Sequence, residues 1–309
     1  MDIFDKKDIS PMLISEMRDS FDSPDYIFEL KLDGERCIAY LDKTCTLLQN
    51  KRHFNLNLRF PELTDMNKAV KTKCILDGEI TILKNGKPDF SEIQRRSLMS
   101  NKFKVELAAS KYPASFTAFD ILYYDGRQIT DLPLMERKKL LKKAVNENSK
   151  ISVSRYIEND GKAFYKLTEK NDLEGIVAKR KDSKYYIGKR TKDWIKIKNL
   201  KDDDYIICGY IKRENGVASL ILGQYSGEKI EYKGHVIISL LSEDFRRIEN
   251  TEKAENSAFL VMDNDNVIWI KPALTCTVKY MEKTKSGGLR QPVFKCLRDD
   301  KAPEECTVK

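Results

Sequence analysis

The stretch YIFELKLDGERCIAYLD, residues 26–42, decides the fold of this chain because it places a lysine among charges where the backbone is predicted to turn. Its apolar residues occupy alternate positions, which predicts a β-strand with one apolar and one polar face. The apolar face carries Phe28, Leu30 and Leu32, and the polar face carries Glu29, Lys31 and Asp33. The Asp-Gly pair at 33–34 then predicts a turn into a second strand, CIAYL.

Lys31 is the candidate nucleophile of this stretch. A free lysine has a pKa of about 10.4 and attacks poorly at neutral pH, so it must lose solvent or gain a cationic neighbour. Arg36, five residues further on, is a candidate for that neighbour. The alternative is a hairpin with a solvated charged face, and the hexapeptide at 31–36 taken alone leaves both interpretations open.

Two later strands carry candidate contacts for a nucleotide. ILDGEITIL (75–83) repeats the alternating pattern and puts Asp77 and Glu79 on one face, where a carboxylate suits a ribose hydroxyl or a metal ion. TAFDILYYDG (117–126) carries Phe119 in an otherwise apolar strand. An aromatic ring there can stack on a base or fill a core, and for Phe119 alone the core interpretation is favoured.

Two further segments add charge. EGIVAKR (174–180) begins with a carboxylate, Glu174, at a predicted strand start. In DWIKIKN (193–199), Trp194, Lys196 and Lys198 share one face of a strand. Two neighbouring lysines repel each other unless an anion lies between or beside them, and a phosphate chain would serve.

These five segments, in this order and at these separations, resemble the nucleotidyltransferase motifs of ATP-dependent DNA ligases, a superfamily shared with RNA ligases and mRNA-capping guanylyltransferases. The run from 267 to 305 resembles the end of the ligase domain of bacterial end-joining ligases. Within it, Arg298-Asp299-Asp300-Lys301 matches the family's final Arg-x-Asp-Lys motif. The resemblance extends from Ser10 to Glu305 and so covers nearly the whole chain.

The resemblance implies a fold of two domains. Residues 1–201 would form an α+β nucleotidyltransferase domain, the adenylylation domain, with two antiparallel sheets and flanking helices. Residues 202–309 would form an all-β OB-fold barrel. Short alternating strands broken at 214–216, 226–228 and 286–288 favour the same barrel. The polar run 199–204 is predicted to be a flexible hinge, because the domain that carries the final motif must close over pyrophosphate for the first step and reopen for DNA.

The resemblance also implies how ATP is held. Lys31 would form a phosphoramide bond to AMP, and Glu29 would read the adenine amino group. Phe119 would stack on adenine, while Arg36 and Glu79 would hold the ribose.

The remaining matched residues would act on phosphates and metal. Glu174, with Glu79 or Asp33, would carry Mg²⁺ or Mn²⁺. Phosphate contacts would come from Arg190, Lys196 and Lys198, and the departing pyrophosphate would be oriented by Arg298 and Lys301.

The chain departs from the family at one motif. Where the family has Ser-Arg-x-Gly, residues 50–53 are Asn-Lys-Arg-His, so the glycine is missing and the arginine is displaced by one position. Register from RFPEL (59–63) puts Lys51 in the arginine's place. Because a one-residue slip on a strand turns a side chain to the other face, both Lys51 and Arg52 are candidates for the nucleotide contact.

Composition bounds the class of protein. The chain has 309 residues, and its 41% hydrophobic content excludes general disorder. No apolar run is long enough for a membrane span, and MDIFDKKDIS (1–10) lacks a secretory pattern, so we expect a cytoplasmic protein. Seven scattered cysteines with no Cys-x-x-Cys pair argue against a disulfide framework and structural zinc. Two distant histidines make a histidine base improbable.

The net charge of +8 is concentrated in one stretch. Residues 179–201 hold ten basic side chains against two acids, so this stretch alone equals the charge of the whole chain. With Tyr185, Tyr186 and Trp194 interleaved, it is interpreted as a surface that tracks nucleic-acid phosphates. A second basic cluster, ERKKLLKKAV (136–145), has helical apolar spacing and is interpreted as the wet side of a surface helix without function.

We therefore expect an ATP-dependent DNA ligase that seals nicked or broken duplex DNA through lysyl-AMP. It would act as a monomer in the bacterial cytosol or be encoded by a phage, with a DNA-end-binding or repair protein as a candidate partner. An RNA ligase or capping guanylyltransferase is the first alternative, and an inactive DNA-end-binding protein is the second. The pathway stays open among repair, end joining and phage replication.

Overall fold

The computed structural model describes residues 2–259, 266–284 and 287–308. It divides into two compact units, Met1–Asn199 and Leu200–Lys309. Ser286, in one of the predicted turns, lies outside the described residues. In the part of the chain that is described, no helix is both long and apolar enough to cross a membrane.

The first unit contains five helices and twelve strands among the described residues. Its strands are β1 (Leu13–Met17), β2 (Ser23–Leu30), β3 (Glu35–Leu41), β4 (Thr46–Asn50), β5 (Cys74–Lys84), β6 (Lys87–Pro88), β7 (Ala114–Tyr124), β8 (Arg127–Gln128), β9 (Ile151–Val153), β10 (Tyr156–Asn159), β11 (Gly175–Arg180) and β12 (Arg190–Lys198). Its α-helices are α1 (Ile3–Lys6), α2 (Phe90–Ser97), α3 (Lys102–Lys111), α4 (Leu134–Ala144) and α5 (Gly161–Lys170), and 3₁₀ turns span Pro61–Leu63 and Met66–Ala69.

Two sheets of the first unit pack against each other. One has the order β1-β12-β11-β2-β10, and the other has the order β4-β3-β5-β7-β8, with β6 and β9 added beside β5 and β7. Neighbouring strands are antiparallel except for β1 beside β12 and β9 beside β7. The shared core between the sheets joins Ile27 of the first to Ile38 and Leu122 of the second. The predicted class of two mainly antiparallel sheets with flanking helices is confirmed.

The segment 31–34 passes from one sheet to the other and forms no hairpin. β2 pairs with β10 and β11, whereas β3 pairs with β4 and β5. The chain does enter a second strand at Glu35, as predicted, but that strand is not paired with β2, so the hairpin interpretation is wrong. Gly34 is needed for a different reason: a Cβ at this position would lie 2.1 Å from the carbonyl oxygen of Ile80 on β5. Only glycine lets the crossing chain approach that strand so closely.

Helix α4 buries two of the charges that the sequence assigned to solvent. Arg137 is fully buried and forms a bidentate pair with Asp120 of β7, with both N···O distances at 2.8 Å. Lys138 is buried beside Glu29. The interpretation of this helix as only a wet surface is wrong for these two residues. Amphipathic spacing predicts which face is apolar, but buried carboxylates on a neighbouring sheet also require cations.

The second unit is a sheet barrel with one described α-helix. Its elements are β13 (Lys201–Arg213), β14 (Val217–Ser226), β15 (Lys229–Ser239), α6 (Glu243–Glu249), β16 (Ile268–Tyr280), β17 (Glu282–Lys283), β18 (Leu289–Arg290), β19 (Val293–Leu297) and a 3₁₀ turn at Pro303–Glu305. The main sheet has the order β15-β14-β13-β16-β19, all antiparallel, and β17 pairs with β18. This arrangement matches the expected OB-fold-like domain.

The predicted flexible hinge at 199–204 is wrong for most of its length. Residues 201–204 form the start of β13 and pair with β16, for example Lys201 with Tyr280 and Asp204 with Thr277. Only Asn199 and Leu200 lie between β12 and β13. Three consecutive aspartates suggested a solvated linker, but their backbone forms an ordinary sheet ladder.

Candidate active site

Lys31 lies directly after the end of β2, at a pocket in the first unit. Its backbone N–H donates to the carbonyl of Gly175 at 2.9 Å, which fixes it beside the start of β11. The pocket is lined by Ile14, Glu29, Leu30, Lys31, Leu32, Arg36, Glu79, Phe119, Val177, Lys179 and Trp194. Five of the predicted site residues, Glu29, Lys31, Arg36, Glu79 and Phe119, therefore meet in one cavity.

The amine of Lys31 is held by Glu174. Its Nζ lies 2.7 Å from Glu174 Oε1, and the lysine side chain is 20% exposed while the glutamate side chain is 3% exposed. Lys198 Nζ lies 3.9 Å from the same oxygen. Burial raises the pKa of Glu174, and the nearby charge of Asp33 adds to this effect. The pairing brings two segments of the motif set, 143 positions apart in sequence, into direct contact.

Arg36 forms a two-pronged pair with Asp77. Nε and Nη2 each lie 2.6 Å from a carboxylate oxygen, and the hydroxyl of Tyr185 donates to Asp77 Oδ2 at 2.6 Å. Asp77 is fully buried, so it needs these donors. These contacts fix Arg36 in the pocket wall. Arg36, the predicted cationic neighbour of Lys31, is thus paired with a carboxylate of its own, Asp77.

Aromatic rings and cations share one side of the pocket. The guanidinium carbon of Arg36 lies 4.6 Å from the ring centre of Phe119, and Lys179 Nζ lies 4.4 Å from the same ring. Trp194 meets Phe119 edge-on at 6.1 Å. Phe119 is half-buried and lines the pocket, so it packs against the core and also faces the cavity.

Glu29 is paired with two lysines that its sequence pattern did not predict. It is buried between two lysines, with Lys179 Nζ at 3.0 Å and Lys138 in closer contact, and Ser154 Oγ donates to it at 2.9 Å. Burial would raise the pKa of Glu29, but the two ammonium groups outweigh it and the pKa lies below its ordinary value. Lys179 was visible at the end of the EGIVAKR segment, whereas no local pattern marked Lys138.

Glu79 and Glu174 are the carboxylates that suit a metal ion. Burial raises the pKa of Glu79 to about 8, and the charges of Glu174 and Asp77 add to the effect. Within the described residues, no group of three or more His, Cys, Asp or Glu side chains could hold a metal by themselves. Magnesium is commonly bound through one or two carboxylates together with substrate phosphates. The donor set therefore fits a divalent cation that is shared with a nucleotide.

Lys196 extends the positive side of the site. Burial lowers its pKa, and the neighbouring positive charges of Lys31 and Arg190 lower it further. Arg190 is exposed and donates through Nη1 to the carbonyl of Ile14 at 3.0 Å. Cations held this close together favour an anion between them.

Lys51 and Arg52 line a second cavity next to the pocket. They lie in an exposed turn after β4, and the cavity also includes Arg36 and Glu79. The strand alternation used to separate Lys51 from Arg52 therefore does not apply, because β4 ends at Asn50. His53 has a φ of 62°, the left-handed conformation that favours glycine, at the position where the family has its glycine.

In the second unit, Arg298 and Lys301 converge on Asp204. Lys301 Nζ lies 2.7 Å and Arg298 Nη1 lies 3.3 Å from Asp204 Oδ2, and Thr277 donates to Oδ1 at 2.6 Å. Arg298 also pairs with Asp300 through two contacts of 2.7 Å. Burial would raise the pKa of Asp204, but the hydrogen bond from Lys301 and its other partners lower it.

The basic stretch 179–201 is only partly a surface. Lys179 is buried in the pocket, and Tyr185 and Trp194 belong to the core, so these three cannot contact nucleic acid from outside. The predicted interleaving of aromatic rings with surface charge is wrong for both of those rings. The exposed basic residues of the stretch are Arg180, Lys184, Lys189, Arg190, Lys192 and Lys201.

Two family models match the chain. The model described as ATP dependent DNA ligase domain matches residues 11–198, and the model described as ATP dependent DNA ligase C terminal region matches residues 213–301. The chain belongs to the ATP-dependent DNA ligase family. The first match covers every pocket residue of this ligase, and the second ends at Lys301.

Among curated relatives, the ligase is 30% identical over 291 residues to the SPbeta prophage-derived DNA ligase-like protein LigB of Bacillus subtilis. That alignment covers 94% of this chain and 99% of LigB. It is 29% identical to the multifunctional non-homologous end joining DNA repair protein LigD of Mycobacterium tuberculosis. The second alignment covers 98% of this chain but only 40% of LigD.

Solved structures agree with this assignment. Mycobacterial DNA ligase D complexed with ATP and MES is 27% identical, with a TM-score of 0.57 and full coverage of both chains. A Lig E DNA ligase, at 17% identity and a TM-score of 0.59, shares the fold. The ligase therefore has the nucleotidyltransferase and OB-fold-like architecture that the sequence predicted.

Proposed function

We propose that this chain seals nicks in duplex DNA through a covalent lysyl-AMP intermediate on Lys31. The observation that carries the proposal is the Lys31–Glu174 pair at the mouth of a pocket with an aromatic wall and a two-pronged arginine. An amine with one fixed partner is oriented for attack, whereas a free surface lysine is not.

In the first step the amine of Lys31 attacks the α-phosphate of ATP. A nitrogen–phosphorus bond forms, the bond from the α-phosphate to the bridging oxygen breaks, and pyrophosphate leaves with that oxygen. The amine must also lose a proton. That proton passes to solvent, and Glu174, 2.7 Å away, holds the amine in place beforehand.

The pocket residues hold the nucleotide during this step. Phe119 stacks on adenine, Glu29 reads its amino group, and Arg36 with Glu79 holds the ribose. Glu79 and Glu174, with Asp33 as a further candidate ligand, would hold a divalent cation, which would withdraw charge from the phosphate. Lys196, Lys198 and Arg190 offset the remaining phosphate charge.

The AMP is then transferred to the 5′-phosphate at a nick, and the 3′-hydroxyl displaces it to seal the strand. We assign the first unit to adenylylation, and Arg298 and Lys301 of the OB-fold-like unit to the departing pyrophosphate. Arg298 and Lys301 already converge on a carboxylate, Asp204, which supports their role as ligands for the anionic pyrophosphate.

Labelling tests the intermediate directly. Label from α-labelled ATP should remain on the denatured protein, and Lys31→Ala should abolish it. Lys150→Ala is the matched control, because Lys150 is also half-exposed and pairs with one carboxylate, Asp65. If GTP labels better than ATP, the capping guanylyltransferase becomes the better assignment. If the protein binds DNA but no nucleotide labels it, the inactive DNA-end-binding protein becomes the better assignment.

A second assay separates the steps. Arg298→Ala should lose self-adenylylation yet seal a nick that already carries AMP on its 5′-phosphate, because pyrophosphate takes part only in the first step. Glu174→Ala should lose both reactions, since phosphate charge develops in each. An Arg298→Ala protein that labels normally but fails to seal would contradict the proposed role.

Nicked duplex is the proposed substrate, and broken duplex ends are the second substrate to test. The relative LigD, which is named for non-homologous end joining, motivates that second arm of the test. We further propose that the chain acts as a monomer in the bacterial cytoplasm. A DNA-end-binding protein is its candidate partner.

A further inference from the structure

The turn that carries Lys51 and Arg52 is built on Asn50. The side-chain carbonyl oxygen of Asn50 accepts the backbone N–H of Arg52 at 2.9 Å and that of Phe54 at 3.2 Å. The backbone carbonyl of Asn50 accepts the N–H of His53 at 2.9 Å. One asparagine therefore satisfies three donors and shapes residues 51–54.

Glu35 fixes the orientation of that asparagine. Asn50 Nδ2 donates to Glu35 Oε1 at 3.1 Å, and Ser97 Oγ donates to Glu35 Oε2. A carboxylate can only accept and a backbone N–H can only donate, so the amide of Asn50 has a single orientation that satisfies both sides. Glu35 lies on β3, and Ser97 is the last residue of α2, so the chain of contacts ties the turn to two fixed elements.

The turn faces a cavity that shares the lining residues Arg36 and Glu79 with the nucleotide pocket. Glu35, Asn50, Lys51, Arg52 and Ser97 all line it, together with Arg36 and Glu79. Glu35 is satisfied by neutral donors. Within the described part of the chain, no ion pair occupies Lys51 or Arg52. Two cations at the rim of such a cavity suit a phosphate group.

We infer that Glu35 is a positioning residue, which through Asn50 holds the 51–54 turn so that Lys51 and Arg52 can bind a phosphate group beside Arg36. The inference rests on the proposed function of the neighbouring pocket. The contact chain compensates for the missing glycine of this motif, because it holds a turn whose third residue, His53, has a left-handed backbone. The phosphate belongs either to ATP or to the nicked strand.

The test compares Glu35→Ala and Asn50→Ala with a matched turn at the other end of the same hairpin. Asp42 Oδ1 accepts the N–H groups of Thr44 and Cys45, each at 2.8 Å, and so caps the β3–β4 turn, whose residues are not among those that line the cavity. Asp42→Ala should lower the melting temperature as the other two do, but leave both reactions at parental rates.

Two reactions identify the source of the phosphate. Self-adenylylation over a range of ATP concentrations reports a nucleotide phosphate, and sealing of a pre-adenylylated nick reports a DNA phosphate. Glu35→Ala and Asn50→Ala should lose about tenfold in at least one of them. Glu35→Gln should retain most activity, because its amide can accept from Asn50 and donate to Ser97. Ser97→Ala should show a smaller loss in the same reaction.

The outcomes are distinct. Parental rates for Glu35→Ala in both reactions would overturn the inference and leave lysyl-AMP chemistry intact. An equal loss in Asp42→Ala, or in Glu35→Gln, would also overturn it, because general loosening of the hairpin or loss of charge would then be the cause. A parent protein that neither labels nor seals would overturn the proposed function and this inference together.

Discussion

Lys138→Ala should destabilise the first unit far more than its place in a basic helix suggests. Lys138 is buried against Glu29, so removing it leaves a buried carboxylate with one cation fewer. Losing one partner of a buried pair costs about 3–5 kcal/mol. The lower end applies here, because Lys179 Nζ at 3.0 Å and Ser154 Oγ at 2.9 Å still contact Glu29. At roughly 2–4 °C per kcal/mol for a domain of this size, about 3 kcal/mol lowers the melting temperature by about 6–12 °C.

Thermal unfolding followed by circular dichroism, without nucleotide, measures this effect. Lys139→Ala is the matched control, since Lys139 is the next residue, is exposed and, among the residues that the structure describes, pairs only with Glu136. It should melt close to the parent protein. Adding Glu29→Gln to Lys138→Ala should restore part of the loss, because the unpaired charge is then gone. If Lys138→Ala and Lys139→Ala melt at the same temperature, the argument from the buried pair is wrong.

Three other predictions use the same structure. The pKa of Glu79 is about 8 in the folded protein and 4.5 in a free chain. Between these two pH values the folded protein keeps a proton on Glu79 that the unfolded chain loses. The free energy of unfolding therefore falls as the pH rises from 4.5 to about 8. Without metal or nucleotide, the melting temperature of Glu79→Gln should therefore depend less on pH than that of the parent, and parallel curves would refute this. His53→Gly should raise the free energy of unfolding by about 1 kcal/mol, because the φ of His53 is 62°. Asn159→Gly (φ 68°) is the control, since asparagine tolerates this conformation. A gain for His53→Gly no larger than that for Asn159→Gly would count against backbone strain. Neutralising three exposed lysines of the basic stretch should reduce the slope of log affinity for nicked duplex against log salt concentration by roughly 2–3. An equal change on neutralising three lysines of helix α4 would show that the DNA binds elsewhere. The test set is Lys184, Lys189 and Lys192, and the control set is Lys139, Lys142 and Lys143.

Much of the pocket could be predicted from the sequence because its residues lie at strand ends with a fixed order. The alternating pattern correctly put Phe28 in the core and Glu29 on the opposite face, but β2 ends at Leu30, so Lys31 and Asp33 lie beyond the predicted strand. What failed was the pairing between strands. An Asp-Gly pair predicts a tight turn, but Gly34 serves a close crossing to Ile80, and no local pattern distinguishes the two.

Charges were harder to predict than apolar positions for a related reason. An apolar residue can be buried in almost any core, whereas a charged side chain is buried only where another element supplies an oppositely charged partner. Lys138 meets Glu29 across 109 positions and Lys301 meets Asp204 across 97 positions, so sequence spacing carries no trace of either pair. Residues 201–204 looked like a linker for a different reason: they pair with β16 through the backbone, which the charges of their side chains do not reveal.

Four of the cations assigned to the nucleotide already have carboxylate partners before any phosphate arrives. Lys31 pairs with Glu174, Arg36 with Asp77, and Arg298 and Lys301 with Asp204. Binding a phosphate at such a cation is an exchange of one anion for another, so each contact adds less than a pair formed from a solvated lysine. The displaced carboxylate must then find a new partner. For Glu174 the cation that would bridge it to the phosphate can be that partner, which predicts that metal and nucleotide bind with positive cooperativity. Titrating ATP affinity with and without magnesium, in the parent and in Glu174→Gln, would measure the coupling, and equal coupling in both proteins would contradict this account.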